Sequence, residues 1–232
     1  MDIRIFFSFR ISLWKNNKKM SYTTYLFDFD YTLADSSQGI VICFKNVLKR
    51  HGYTDITDEA IKRTIGKTLE ESFSILTGIT DGVQLTSLRK EYTKESDQFM
   101  NRNTYLFEDT LPTLRKLKEQ GAYLGIISTK YRYRILDFLK SHLPEGYFDI
   151  IVGGEDVSHP KPDPEGVLLA IKQLNVRPED TMYIGDSTVD AETAAAAGIS
   201  FTGVTSGATL ADELKQHPHI NILSRLYELV DK

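Results

Sequence analysis

The sequence predicts a doubly wound α/β protein, a parallel sheet covered by helices on both faces, with a helical domain inserted after the first strand. Two observations carry this. Strand-length apolar runs alternate with stretches of helical period, the pattern of a parallel sheet with crossover helices. One interval of about ninety residues between the first and second runs holds no convincing strand, far more than a crossover needs.

The runs at Tyr25–Phe29, Tyr123–Ile127, Phe148–Val152, Thr181–Ile184 and Ile199–Val204 are rich in β-branched and aromatic residues and bounded by turns, so each predicts a strand. Between them Leu111, Leu114 and Leu117, stopped by Gly121, predict one helix, and Val167–Leu174 after Pro162 and Pro164 another. The long interval reads as helical. Ile40, Phe44 and Val47 share a face before Gly52; Thr68 and Glu71 form a capping box ahead of Phe73 and Leu76; Leu85, Leu88, Tyr92 and Phe99 line a longer helix. This places a helical cap domain at 36–105 and a core domain at 20–35 and 106–232.

Residues 1–19 stand apart, with a formal charge of +4 against −8 for the remainder of a chain whose total is −4. Ile3, Ile5, Phe7, Phe9, Ile11 and Leu13 alternate like a half-buried strand, but Arg10 breaks the apolar run that a secretory signal needs. An N-terminal extension ahead of Met20 is the expected reading, an added edge strand the alternative. The 41% hydrophobic and 26% charged content exclude a disordered or fibrous chain, and the acidic balance gives no basic field for nucleic acid or anionic membrane. No run reaches the roughly 18 apolar residues of a membrane span. A single cysteine, Cys43, permits no intramolecular disulfide and no thiolate zinc site, so a reducing, cytoplasmic setting is expected; the residue itself reads as packing. The five histidines show no ligand spacing. Tyr131-Arg132-Tyr133-Arg134 reads as the solvated opening of a helix rather than a nucleic-acid contact.

In an open parallel sheet, reactive groups collect beyond the carboxyl ends of the strands. Four such places carry chemistry: Asp28-Phe29-Asp30-Tyr31-Thr32, Ser128-Thr129-Lys130, His159-Pro160-Lys161-Pro162, and Gly185-Asp186-Ser187-Thr188-Val189-Asp190. These four ordered motifs resemble those of the haloacid dehalogenase superfamily of phosphotransferases, and the resemblance runs from Thr23 to the C-terminus. Within it the sequence is most similar to phosphoglycolate-phosphatase-like members, whose helical cap follows the first motif, and Gly66–Phe73 looks like a cap segment of that group. Two positions depart from the pattern: Tyr31 stands where many members have Gly, and Glu108-Asp109-Thr110 replaces a Pro-Gly at the cap exit.

Residue chemistry agrees with the roles the resemblance implies. Asp28, Asp30, Asp186 and Asp190 converging on one pocket would repel one another without a cation, and an oxygen-only donor set suits Mg²⁺. The expected ligands are the Asp28 and Asp186 carboxylates and the Asp30 carbonyl, with Asp190 in support. Asp28 is the candidate nucleophile and Asp30 the candidate general acid and base. Ser128 and Thr129 would hold phosphoryl oxygens and Lys161 would balance charge. Thr32 reads equally well as a turn cap or a site residue. In the cap, Gly66 and Lys67 are placed to meet the leaving group, where Lys67 would favour an anionic one such as glycolate.

The expected activity is that of a Mg²⁺-dependent phosphatase on a small phosphorylated metabolite. A phosphomutase of the β-phosphoglucomutase type, a pyrophosphatase and a non-catalytic binding module are the alternatives. The oligomeric state is not legible.

Overall fold

The computed structural model describes residues 22–231, so the alternating segment at 3–13 and the start at Met20 lie outside the described residues. The central strand β1 (Thr24–Phe27) is wholly buried. Side chains alternate across it: Tyr25 and Phe27 enter the core on one face of the sheet and Leu26 the core on the other. β1 pairs in parallel with β4 (Tyr123–Ile127) on one side and β6 (Thr181–Gly185) on the other. Beyond β4 lies β5 (Ile150–Val152); beyond β6 lie β7 (Ser200–Val204) and β8 (Asn221–Leu223), giving the all-parallel order β5-β4-β1-β6-β7-β8. The chain thus winds outward from β1 in one direction and then returns to wind in the other. Strand order reverses at β1, where the crevice of a doubly wound sheet opens.

Helices cover both faces: α5 (Thr110–Glu119), α6 (Arg132–Leu139), α7 (Glu165–Leu174), α8 (Thr188–Ala197) and the single turn α9 (Ala211–Leu214). The five strands expected from the sequence are present. β1 is shorter than its apolar run because the chain leaves the ladder at Asp28, whose N–H still bonds the Ile184 carbonyl, and bends through Asp30. β8 was not expected: three residues after His217-Pro218-His219 are too few to show a period.

Between the short strands β2 (Ala34–Asp35) and β3 (Tyr105–Leu106), which pair antiparallel, the chain forms α1 (Ser37–Arg50), α2 (Asp58–Lys62), α3 (Leu69–Thr77) and α4 (Gly82–Phe99). This insert has its own core, in which Phe44 lies 4.7 Å by ring centroids from both Phe73 and Tyr92, with Cys43 fully buried beside them. Burial pushes the Cys43 thiol up to about 12, so it stays protonated and serves as packing. At the start of α3, Thr68 Oγ1 accepts from the Glu71 N–H at 3.2 Å, which is half of a capping box. The Glu71 carboxylate turns instead to the Lys67 ammonium at 2.8 Å, a stronger partner than a backbone N–H.

Candidate active site

The carboxyl ends of β1, β4 and β6 and the loop between β5 and α7 bring the four sequence motifs together. Asp28 follows β1 and is 2% exposed; Asp186 follows β6; Asp190 sits in the first turn of α8 with no exposed surface. Oxygen atoms of these three carboxylates lie within 4.8 Å of one another. The Lys161 ammonium, itself buried, donates to Asp28 Oδ1 at 2.8 Å and to Asp190 Oδ1 at 2.6 Å. Asp190 Oδ2 accepts from the Ser187 N–H and hydroxyl at 3.1 and 2.6 Å, so the capping box of α8 also fixes the carboxylate that orients Lys161. Both oxygens of Asp190 are therefore taken, whereas Asp28 Oδ2 carries no hydrogen bond among the described residues.

Burial acts most strongly on each of these groups. It raises Asp28 to about 7, against the attraction of Lys161 and with the repulsion of Asp190 and Asp30, and it raises Asp186 well above the carboxylate range, with Asp190 and Asp28 adding to the effect. Burial also works to discharge Lys161, but Asp190 and Asp28 overcome it and hold the ammonium well above its ordinary value.

Asp30 faces another way. Its Oδ1 accepts from the Ser36 hydroxyl and, at 2.5 Å, from the Lys130 ammonium, which lies 5.0 Å from the Phe29 ring centroid. The side chains of Lys130 and Asp30 are only 9% and 11% exposed, so this ion pair is largely desolvated. Four carboxylates against two ammonium groups leave this pocket a formal charge of minus two when all are ionised, the charge one divalent cation neutralises. The donors are all oxygen, and the Asp186 side chain accepts a long 3.3 Å hydrogen bond from Thr32 Oγ1, so the residues fit a hard cation such as Mg²⁺.

Several supports carried no signal in the sequence. The Tyr183 hydroxyl, on β6, accepts from Lys161 at 3.3 Å and donates to the Ile127 carbonyl at 3.0 Å, bracing the lysine from below. Any side chain at Gly207 would run into Asp186, since a Cβ there would lie 1.9 Å from Oδ2; one at Gly185 would lie 2.4 Å from Asp190. Both glycines make room for carboxylates. Tyr31 adopts φ of 65°, the left-handed region that costs a residue other than glycine about 1–2 kcal/mol. The buried ring and a hydrogen bond from the Ser206 hydroxyl to the Tyr31 carbonyl hold it there.

Ser128 is buried after β4, where its Oγ accepts from the Lys130 N–H at 3.2 Å, and it lines a small cavity together with Lys161. Thr129 donates to the Gly66 carbonyl at 3.5 Å, and the Gly66 backbone also approaches Ser187. The α2–α3 loop of the insert thus rests on the strand ends. Gly66 and Lys67 line, with Asp30, Thr129 and Lys130, a cavity of about 90 Å³ between the insert and the sheet. The Lys67 ammonium is held by Glu71 rather than turned free into that space. Tyr131 and Arg134 open α6 and line the same cavity, the tyrosine hydroxyl accepting from Arg89 at 2.7 Å.

Such a gathering of buried acids around one lysine, at the switch point of a doubly wound sheet, suits a hydrolase acting on phosphoryl groups. Residues 25–204 match the family model of haloacid dehalogenase-like hydrolases, and the chain belongs to that family. It is 30% identical over 208 residues to pyrophosphatase PpaX of Bacillus pumilus, covering 89% of this chain and 94% of that protein. The probable phosphatase IndB of Dickeya dadantii is 33% identical over 193 residues, covering 82% and 84% of the two chains. Among solved structures, a haloacid dehalogenase-like hydrolase from Bacteroides fragilis superposes with a TM-score of 0.89 at 69% identity, covering 90% of this chain and all of that one. A protein described as a predicted phosphatase from Clostridium acetobutylicum gives 0.83 at 25% identity, with 90% and 96% covered. The activity class is phosphatase. Among the described residues no helix is long and apolar enough to cross a membrane.

Proposed function

We propose that the protein is a cytoplasmic, Mg²⁺-dependent phosphatase that hydrolyses a small phosphorylated metabolite through a phosphoryl group carried on Asp28. The observation that supports this most is the engagement of Asp28: one carboxylate oxygen is held by a buried ammonium and, among the described residues, the other is unengaged beside Asp186.

In this reading Asp28 Oδ2 attacks phosphorus, and the displaced alkoxide takes a proton from Asp30, whose Oδ2 has no protein partner among the described residues. Asp30 then accepts a proton from the water that hydrolyses the acyl phosphate, one group serving as acid and base in turn. Lys161 keeps Asp28 oriented and compensates charge; Ser128 and Thr129 would meet the phosphoryl oxygens. The Asp28 and Asp186 carboxylates with the Asp30 carbonyl would hold Mg²⁺, whose chemistry there is neutralisation of the phosphoryl oxygens.

A second reading, pyrophosphatase, draws support from the 30% identity to PpaX. Phosphate release from p-nitrophenyl phosphate, with Mg²⁺ and with excess EDTA, tests the common core of both. Release only with the metal is expected, and undiminished release in EDTA would defeat the proposal.

A further inference from the structure

The cavity beside Asp30 is where a leaving group would sit, and its walls can be read for what they would accept. Ile40, Phe44, Ile65, Leu69, Tyr92 and Met100 supply an apolar face. Each cation that lines it already has an anionic partner: Lys130 bonds Asp30 at 2.5 Å, Arg134 bonds Asp97 at 2.7 Å, and Lys67 bonds Glu71 at 2.8 Å. An anionic leaving group, a carboxylate or a second phosphate, would enter without a free counter-charge and would lose its hydration.

One polar group is left over. Tyr92 is 6% exposed, its ring packed against Phe44 and Phe73, and among the described residues its hydroxyl makes no hydrogen bond. Tyr92 lines the cavity, which puts its side chain on the wall that a leaving group would meet. Burial, with Asp30 and Cys43 nearby, raises its pKa well above the ordinary phenol value, so it remains a neutral donor and acceptor. A volume of about 90 Å³ holds on the order of six to eight water-sized groups.

We infer that this pocket selects phosphate monoesters of an uncharged, largely apolar alcohol of about seven heavy atoms, with Tyr92 answering one polar atom of that alcohol. The inference rests on the phosphatase reading above and narrows it against phosphoglycolate and pyrophosphate alike.

The test compares kcat/KM of the full-length protein with Mg²⁺ on hexyl phosphate, 6-hydroxyhexyl phosphate, phosphoglycolate and pyrophosphate. The two alkyl esters are expected to exceed both anionic substrates by about tenfold or more, the scale of one uncompensated, partly buried charge. Tyr92→Phe, which keeps the ring packing, should cost about fivefold to tenfold in KM on the hydroxylated ester and leave hexyl phosphate nearly unchanged. Leu69→Lys, which brings an unpaired cation to the wall, should shift preference toward phosphoglycolate. Equal or better turnover of phosphoglycolate or pyrophosphate by the wild type overturns the inference while leaving the phosphatase standing. Equal losses on both alkyl esters in Tyr92→Phe overturn the role of that hydroxyl. Failure to hydrolyse any of the four, and p-nitrophenyl phosphate as well, removes the phosphatase reading and the inference with it.

Discussion

The two sides of the candidate active site are built on opposite plans. On the sheet side, three carboxylates and a lysine are buried almost completely, and Lys161, Asp190, Ser187 and Tyr183 constrain one another through several short hydrogen bonds. Toward the insert, Lys67 pairs with Glu71 and Arg134 of α6 reaches across to Asp97 of α4, and both partner carboxylates are half-exposed. Desolvated charge is costly to hold and costly to disturb, whereas exposed pairs contribute about 0–1 kcal/mol each. The sheet side is therefore constrained by electrostatics and the insert side mainly by shape. The fixed half suits the phosphoryl group that every substrate would share, and the adjustable half the part that differs between substrates.

Substitutions should expose that contrast. The largest effect is expected from Asp28→Asn, which removes the attacking oxygen's charge and should lower kcat by about four orders of magnitude or more while substrate still binds; steady-state and binding measurements on the purified variant check this. Asp30→Asn should cost about 10²–10⁴ in kcat/KM on alkyl esters and far less in kcat/KM on p-nitrophenyl phosphate, whose leaving group needs no proton, while kcat falls on both because activation of water is a step they share. A uniform loss of kcat/KM on both would deny Asp30 its acid role.

Lys161→Met should destabilise the protein by about 3–5 kcal/mol, because two buried carboxylates lose their shared cation; thermal unfolding reads this directly. The pH response of the unliganded protein follows from the raised acids. Folding holds protons on Asp28 and Asp186 that the unfolded chain releases near pH 4, so their stability contribution is full below about pH 4 and is lost as pH rises through about 7 for Asp28. A cation that binds the ionised form should then raise Tm more at pH 8 than at pH 5.5, by several degrees, and calorimetry with and without Mg²⁺ measures the difference. A Tm increase independent of pH would count against carboxylate ligation. The smallest effect belongs to Lys67→Ala, expected to change KM less than about twofold on any of these substrates because its ammonium already belongs to an exposed pair with Glu71.

The sheet was legible because buried parallel strands are near-continuous apolar runs, as in the wholly buried β1 and β6. β8 and the β2–β3 ribbon were not, since two or three residues leave no period to detect. The same division holds at the site. Asp28, Asp186, Asp190 and Lys161 could be named because strand ends of a parallel sheet converge and the motifs near them resemble those of the haloacid dehalogenase superfamily. Lys130 stood in view after Ser128-Thr129 yet nothing local showed that its amine crosses to Asp30, a partner 100 residues away. Tyr183 looks like any strand aromatic, and Gly207 lies in a loop without a motif, so their service to Lys161 and Asp186 emerges only in three dimensions. Lys67, read from sequence as a free positive charge, has its partner one helical turn ahead, a pairing that spacing alone permits but does not enforce.

The central claim, that the unengaged oxygen of Asp28 carries the phosphoryl group, can be tested by trapping. Asp30→Asn, given an activated aryl phosphate with Mg²⁺, should accumulate an acyl phosphate because attack is retained while activation of water is slowed. Borohydride quenching followed by peptide mass mapping should then find reduction at position 28 alone. Stoichiometric phosphate release with Asp28 unmodified, or modification at another carboxylate, would contradict the account.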